Sequence, residues 1–276
     1  MLVQKYRDML SGKSVIRQLA EFATERGKEI GYENVFDYSL GNPSVPVPQE
    51  FTDKMVDLLN TRESGELHGY SPNLGITSVR EAVAASLEKR FGLPYRKEHV
   101  FMASGAAGAL AHAFRLVTEP GDEILTFAPF FPEYHPYVDL TGAVLKVVPP
   151  DVESFQIHFD RLEEMLTEKV AAVLLNTPNN PSGVVYSRET LERLAGVLKE
   201  KAALYGHDIY LISDEPYREI VFDGVTAPCV SCFYDNTIMC YSFSKSLSLP
   251  RERIGYVAGN PRCRDAEEMI AMCVQI

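Results

Sequence analysis

Short apolar runs alternate with amphipathic segments along the chain, with no internal repeat and no low-complexity stretch. This pattern predicts an α/β fold: a mostly parallel seven-stranded sheet with helices on both faces. The 276 residues, 46% apolar and 24% charged, supply enough core for one large domain or two small ones. A parallel sheet puts its ligand crevice at the carboxyl ends of its strands, so functional side chains should follow strands directly.

The elements follow in order from the pattern. An amphipathic stretch over 13–28 predicts a first helix, and the prolines of LGNPSVPVP, which begins at Leu40, forbid a helix interior and predict an extended arm. Runs rich in Val, Ile, Leu or Tyr at 100–103, 123–128, 143–148, 170–176, 208–213, 237–241 and 254–258 read as strands. Helical spacing is clearest over 76–90, 106–117 and 187–205, with a shorter stretch at 160–166. At the far end, Ala266, Met269, Ile270 and Cys273 recur at helical spacing and the sequence stops without a Gly cap or polar tail. The chain is therefore expected to break off inside a helix.

Composition narrows the function classes. A formal charge of −11 leaves no global field for nucleic acid or an anionic membrane, and residues 1–40 hold no basic helix-turn-helix. No apolar run approaches the ~18 residues of a spanning helix and no signal-peptide core opens the chain, so a cytoplasmic protein is expected. Five scattered cysteines make no disulfide framework. Cys229 and Cys232 form a C-x-x-C without a second pair at zinc spacing, so they read as reduced thiols, and no metal site is expected.

Five motifs, each after an expected strand, carry candidate chemistry. In YSFSKSLSLPRERIGYVAGN, Lys245 stands among Ser242, Ser244 and Ser246, near Arg251 and Arg253. Neighbouring cations lower a lysine's pKa and free its amine as a nucleophile, although a surface lysine in a serine-rich loop would look the same. In LISDEPY, Asp214 and Tyr217 bring a carboxylate and a phenol out of one strand end, or simply close a turn. NTPNNPSG offers Asn180 in what is also ordinary turn chemistry. In FMASGAAGAL a strand passes through Ser104 and Gly105 into a small-residue helix. Its first-turn N–H groups suit an anion, and tight helix–sheet packing is the alternative. FAPFFPEYHPY supplies flat rings that core packing would also explain.

Taken together, ASGAAGAL, PFFPEY, NTPNNPSG, SDEPY, SFSK and RIGY, in that order, resemble the class I and II aminotransferases of pyridoxal-phosphate fold type I. The resemblance runs from the LGNP arm to near the last residue. It implies a pyridoxal 5'-phosphate cofactor, a reaction between an amino acid and a 2-oxo acid, and catalysis by Lys245, Asp214 and Tyr217. Lys245 would hold the cofactor through its amine and carry the proton at the substrate's alpha carbon. Asp214 would keep the pyridine nitrogen protonated. Tyr217 and Asn180 would bond the ring's phenolic oxygen, with Asn180 also near the substrate, and Phe131 would stack on the ring. The phosphate would rest on the backbone of Gly105, Ala106 and Ala107, joined by Ser242 and Arg253. Alanine stands in that turn where many relatives place a hydroxyl or a lysine.

Tyr70 resembles the tyrosine that reaches the neighbouring subunit's phosphate, implying a homodimer with shared sites. Gly41 resembles the arm glycine over the substrate carboxylate. The implied organisation is an amino-terminal helix and arm over 1–45 and a cofactor-binding large domain over 46–262. Residues 263–276 would begin a helix leading to a small domain, largely missing here, that bears the arginine for the substrate carboxylate. A lyase or decarboxylase on the same scaffold, or a non-catalytic cofactor-binding fragment, stays open as an alternative.

Overall fold

The computed structural model describes residues 2–4, 7, 15–39 and 41–276. Contacts divide the chain into two units, 1–45 and 46–276. The first holds helix α1 (Val15–Ile30), surfaced by Arg26–Glu29 and Lys28–Glu25 ion pairs, and then a 3-10 turn at Tyr32–Asn34. The start of the expected helix, at Lys13 and Ser14, and Leu40 of the arm lie outside the described residues.

The second unit is built on one seven-stranded sheet. Its strands are β1 (Val100–Ala103), β2 (Glu123–Phe127), β3 (Val144–Val148), β4 (Val170–Asn176), β5 (Tyr210–Asp214), β6 (Thr237–Ser242) and β7 (Gly255–Gly259). They lie in the order β1-β7-β6-β5-β4-β2-β3. All neighbours pair parallel except β7, which runs antiparallel to both β1 and β6. The expected mostly parallel sheet of seven strands is present, each strand within two residues of its expected bounds.

Successive residues of the central strands serve opposite faces, as the period of two in a strand requires. Ile124, Leu174, Ile212, Ile238 and Val257 enter one apolar cluster with Leu110 and Phe114 of helix α5 (Gly105–Val117). Leu125, Val173, Leu175 and Leu211 enter a second with Leu191, Leu194 and Leu198 of α8 (Arg188–Tyr205). Met239, Tyr241, Tyr256 and Ala258 form a third with Val83, Ala84 and Leu87 of α4 (Thr77–Phe91). Each fully buried leucine in these clusters contributes roughly 1.5–3 kcal/mol over an exposed one. Helices thus cover both faces.

Local signals set the helix ends. Ser187 accepts the Thr190 N–H at 3.1 Å to start α8, and Gly206, with φ +75°, ends it in the left-handed region that favours glycine. Three short helices escaped the pattern: α2 (Gln49–Thr61), α3 (Ser64–His68) and α6 (Tyr134–Asp139). Neither α2 nor α3 buries a residue, although α2 carries Phe51, Met55, Leu58 and Leu59 at helical spacing. The short α7 (Phe159–Met165) matches its expected stretch. After β6 comes a single turn, α9 (Phe243–Ser246), and the last helix, α10 (Ala266–Met272), is shorter than the expected 264–276. It packs Ala266, Met269 and Ile270 into the first cluster beside Phe101 and Val257. Among the described residues no helix is long and apolar enough to cross a membrane.

Candidate active site

Asp214 closes β5 at the carboxyl edge of the sheet and is buried. Its register partner on β4 is Asn176, whose Nδ2 donates to the Asp214 carbonyl at 2.9 Å. The Tyr134 hydroxyl, on α6, donates to Oδ2 at 2.5 Å. Oδ1 is equally buried and has no hydrogen-bond partner among the described residues. Burial pushes this carboxyl up to about 7, the Tyr134 hydrogen bond pulls it back, and the neighbouring Glu215 charge adds to the rise. An unsatisfied buried acceptor costs about 1–3 kcal/mol, a cost that a ligand N–H donor would remove.

Strand β6 runs parallel beside β5, pairing Cys240 with Asp214, and delivers Lys245 to the same edge. Ser242 starts α9 by accepting the Ser244 N–H at 3.1 Å, which sets the turn carrying Lys245. The lysine is half-buried, and burial lowers its amine pKa. The sequence reading assigned that depression to Arg251 and Arg253; here desolvation is the cause, because both guanidiniums are exposed to water. The turn is braced from behind, where Tyr241 OH lies 2.8 Å from Ser246 Oγ and donates to Glu219 Oε2 at 2.9 Å. Glu219 in turn pairs with Arg90 of α4 at 2.5 Å.

Asn180 and Tyr217 meet as expected: Asn180 Nδ2 donates to Tyr217 OH at 3.2 Å, and Asn176 Oδ1 accepts the Asn180 N–H at 2.6 Å. Burial, then the Asp214 charge, raises the Tyr217 phenol, while the Asn180 bond lowers it.

The anion cradle also assembles. Ser104 precedes α5 with no side-chain cap, which leaves the first-turn N–H groups of Gly105, Ala106 and Ala107 for a ligand. Gly105 has φ +71°, and a Cβ there would lie 2.7 Å from Arg253 Nη2. That guanidinium donates to Ser104 O at 3.3 Å and to Pro250 O at 3.2 Å. A Cβ on Gly255 would fall 2.8 Å from Gly105 Cα, so the glycine of RIGY lets β7 underlie the cradle. Ser242 Oγ sits 2.7 Å from Ser244 Oγ, so its hydroxyl must turn from that neighbour to meet a phosphate.

Phe131 is half-buried, its ring 5.7 Å from that of Tyr134 and 86° to it. Tyr70, just after α3, is fully exposed. Gly41 belongs to the first unit, so its place over a substrate carboxylate is a proposal about the assembled protein. The sequence reading missed Tyr134, Asn176 and the buried Glu215–Arg218 pair. Tyr134 lies within the motif that was read for its flat rings; its hydroxyl was the overlooked signal.

One edge of the mostly parallel sheet thus brings together Lys245, Asp214 and the first turn of α5, whose motifs resemble those of the class I and II aminotransferases. The profile of that family, "Aminotransferase class I and II", matches residues 33–274, and the chain belongs to it. Among its relatives, aspartate aminotransferase of Thermotoga maritima is 34% identical over 241 residues, 86% of this chain and 61% of that protein. Aromatic-amino-acid aminotransferase 2 of Thermococcus litoralis is 31% identical over 250 residues, 89% of this chain and 60% of that one. The crystal structure of an aminotransferase from Eubacterium rectale superposes with a TM-score of 0.94 at 44% identity, covering 100% of this chain and 70% of that one. The chain thus spans about 60% of the length of these curated relatives.

Proposed function

We propose that this chain is the cofactor-binding part of a pyridoxal 5'-phosphate-dependent aminotransferase, which moves an amino group between an amino acid and a 2-oxo acid. The observation that carries the reading is the buried Oδ1 of Asp214, without a partner among the described residues, an acceptor suited to a protonated ring nitrogen. The rest of the donor set fits the same group: the Lys245 amine for its aldehyde, Asn180 and Tyr217 for its phenolic oxygen, and the α5 N–H groups with Arg253 for its phosphate. When bound, the cofactor supplies an electron-withdrawing ring that stabilises negative charge at the substrate's alpha carbon.

The chain's residues do the remaining work. Lys245 Nζ, deprotonated more readily because of its burial, would take the proton from the alpha carbon of the donor amino acid and, in the second half-reaction, deliver one to the alpha carbon derived from the acceptor 2-oxo acid. A cation facing Asp214 lowers its carboxyl from about 7, so the acid is ionised at neutral pH and holds that cation. Tyr134 fixes the carboxyl through its other oxygen. Phe131 would bound one face of the ring and exclude water from it, while Tyr70 would complete the site from a second subunit. We read the protein as a cytoplasmic homodimer with shared sites.

The test mixes the cofactor-loaded protein with one amino acid at a time, following the cofactor's absorption and any 2-oxo acid released. One 2-oxo acid per site, with the absorption restored by a second 2-oxo acid, is expected. Pyruvate released with ammonia or a thiol would move the protein to the lyases. No turnover with any amino acid, despite a cofactor held on Lys245, would make it a non-catalytic binder.

A further inference from the structure

Lys245 rides on a helix too short to hold itself. Helix α9 is four residues long, and a single turn is unstable alone, since fixing its backbone loses more entropy than one hydrogen bond offsets. Contacts from outside must therefore fix the lysine. Ser242 caps the start of the turn through the Ser244 N–H, and at its end the Leu247 N–H donates to Phe243 O at 3.2 Å. Ser246, the residue next to the lysine, is held by a side chain of β6, that of Tyr241.

Tyr241 is a rigid support. Its ring is buried, stacked on Tyr256 with centroids 5.0 Å apart and planes at 22°, and met edge-on by Phe243 at 5.3 Å. Its hydroxyl has one proton and two oxygen neighbours, Glu219 Oε2 at 2.9 Å and Ser246 Oγ at 2.8 Å. The carboxylate is the stronger acceptor, so the phenol donates to Glu219 and the Ser246 hydroxyl donates to the phenol oxygen. Burial raises the Tyr241 phenol well above its ordinary value, so it keeps this proton through the neutral range.

At its other end the row of hydrogen bonds reaches a second proposed site residue. Glu219 lies two residues after Tyr217, inside a turn closed by the Ile220 N–H donating to Tyr217 O at 2.8 Å. Its Oε1 pairs with Arg90 of α4 at 2.5 Å. The row thus starts on α4, passes the Tyr217 turn, crosses β6 and ends beside Lys245.

We propose that Glu219, Tyr241 and Ser246 are positioning residues that tie the Lys245 turn to the Tyr217 turn and so fix the lysine amine relative to the phenol. Ser246 acts through the backbone it shares with Lys245, and Glu219 through the turn it shares with Tyr217. The inference rests on the reading of Lys245 and Tyr217 as cofactor residues. Without the Tyr241 hydroxyl, Ser246 loses its tie and α9 opens toward water. The half-buried amine then gains solvent, and the desolvation that lowers its pKa is relieved.

The test compares the unaltered chain with Tyr241→Phe, which keeps the ring and its stacking, and with Ser246→Ala and Ser246→Thr. In the cofactor-free protein, the rate at which acetic anhydride modifies Lys245 is followed against pH by peptide mass. Tyr241→Phe and Ser246→Ala should both move the midpoint to higher pH, and Ser246→Thr, which restores the hydroxyl, should keep that of the unaltered chain. A contact that only stabilised the fold would lower the unfolding midpoint and leave the amine where it was. In the cofactor-loaded protein, Tyr241→Phe should lose on the order of tenfold to a hundredfold in kcat with KM little changed, because a misplaced reacting group acts on the chemical step. An unchanged amine midpoint in Tyr241→Phe, or a Ser246→Thr that behaves as Ser246→Ala does, would overturn the proposal. Because the amine is read without cofactor, an unaltered chain that takes up none on Lys245 would sink the reading of the reaction, while shifted midpoints would still place the lysine under the control of Tyr241.

Discussion

Tyr134 donates a 2.5 Å hydrogen bond to Oδ2 of Asp214, and Oδ1 of the same buried carboxyl meets no partner among the described residues. One oxygen is therefore anchored by the fold and the other is left to a ligand. Tyr134→Phe should remove the hydroxyl that stabilises the ionised form, moving the carboxyl above its value of about 7. Stability should fall by about 1.5–3 kcal/mol, read by urea denaturation. An unchanged Asp214 titration in the variant would remove Tyr134 from this role.

The raised carboxyl fixes the sign of a pH dependence in the cofactor-free protein. Asp214 titrates at 3.8 when unfolded and at about 7 when folded, so between these values the folded chain keeps a proton that the unfolded chain has lost. Its contribution to stability therefore falls as pH rises from about 4 to about 7 and levels off above, by on the order of 4 kcal/mol. Asp214→Asn should match the wild type near pH 4 and exceed it at pH 8. Parallel curves across that range would refute the shift.

The same substitution should have the opposite effect on catalysis. Asp214→Asn should cost about 10²–10³ in kcat, the scale of one preorganised electrostatic contact, while the cofactor still attaches to Lys245. Retained turnover in the loaded variant would remove the acid from the mechanism.

Borohydride reduction of the cofactor-loaded chain should place the label on Lys245 alone, and Lys245→Ala should take up none. A label on any other lysine would displace position 245 from the site.

Gly255→Ala should disturb the cradle from below, because the new methyl carbon would lie 2.8 Å from Gly105 Cα, and backbone cannot yield as a side chain tip does. Expected are a loss of about 1–3 kcal/mol in stability and weaker retention of the cofactor's phosphate. Native cofactor affinity in this variant would show that β7 does not set the cradle.

The sheet was readable because each strand is a compact apolar run, and the central strands bury nearly every residue. Lys245, Asp214, Asn180, Tyr217, Gly105 and Arg253 were readable because their motifs follow strands. What escaped depended on pairing across the sheet. Nothing local ties Tyr134 to Asp214 or Asn176 to the Asp214 carbonyl, since both contacts exist only once α6 and β4 are in place. Helix α3 is too short, at five residues, to show a period, whereas α2 was legible in Phe51, Met55, Leu58 and Leu59 and was overlooked. Burial likewise decided the lysine, whose flanking arginines suggested a different cause for the same depressed amine.

Strand β1 joins the sheet through β7, with Val100 opposite Ala258 and Ala103 opposite Gly255. During synthesis on the ribosome, β1 is made long before this mate, and its ladder groups stay open to unwanted partners until β7 has emerged. Closure of the sheet and completion of the floor beneath α5 then coincide, because Gly255 serves both. A nascent chain halted before that glycine has neither, so one residue of β7 finishes both the pairing of β1 and the packing under the first turn of α5.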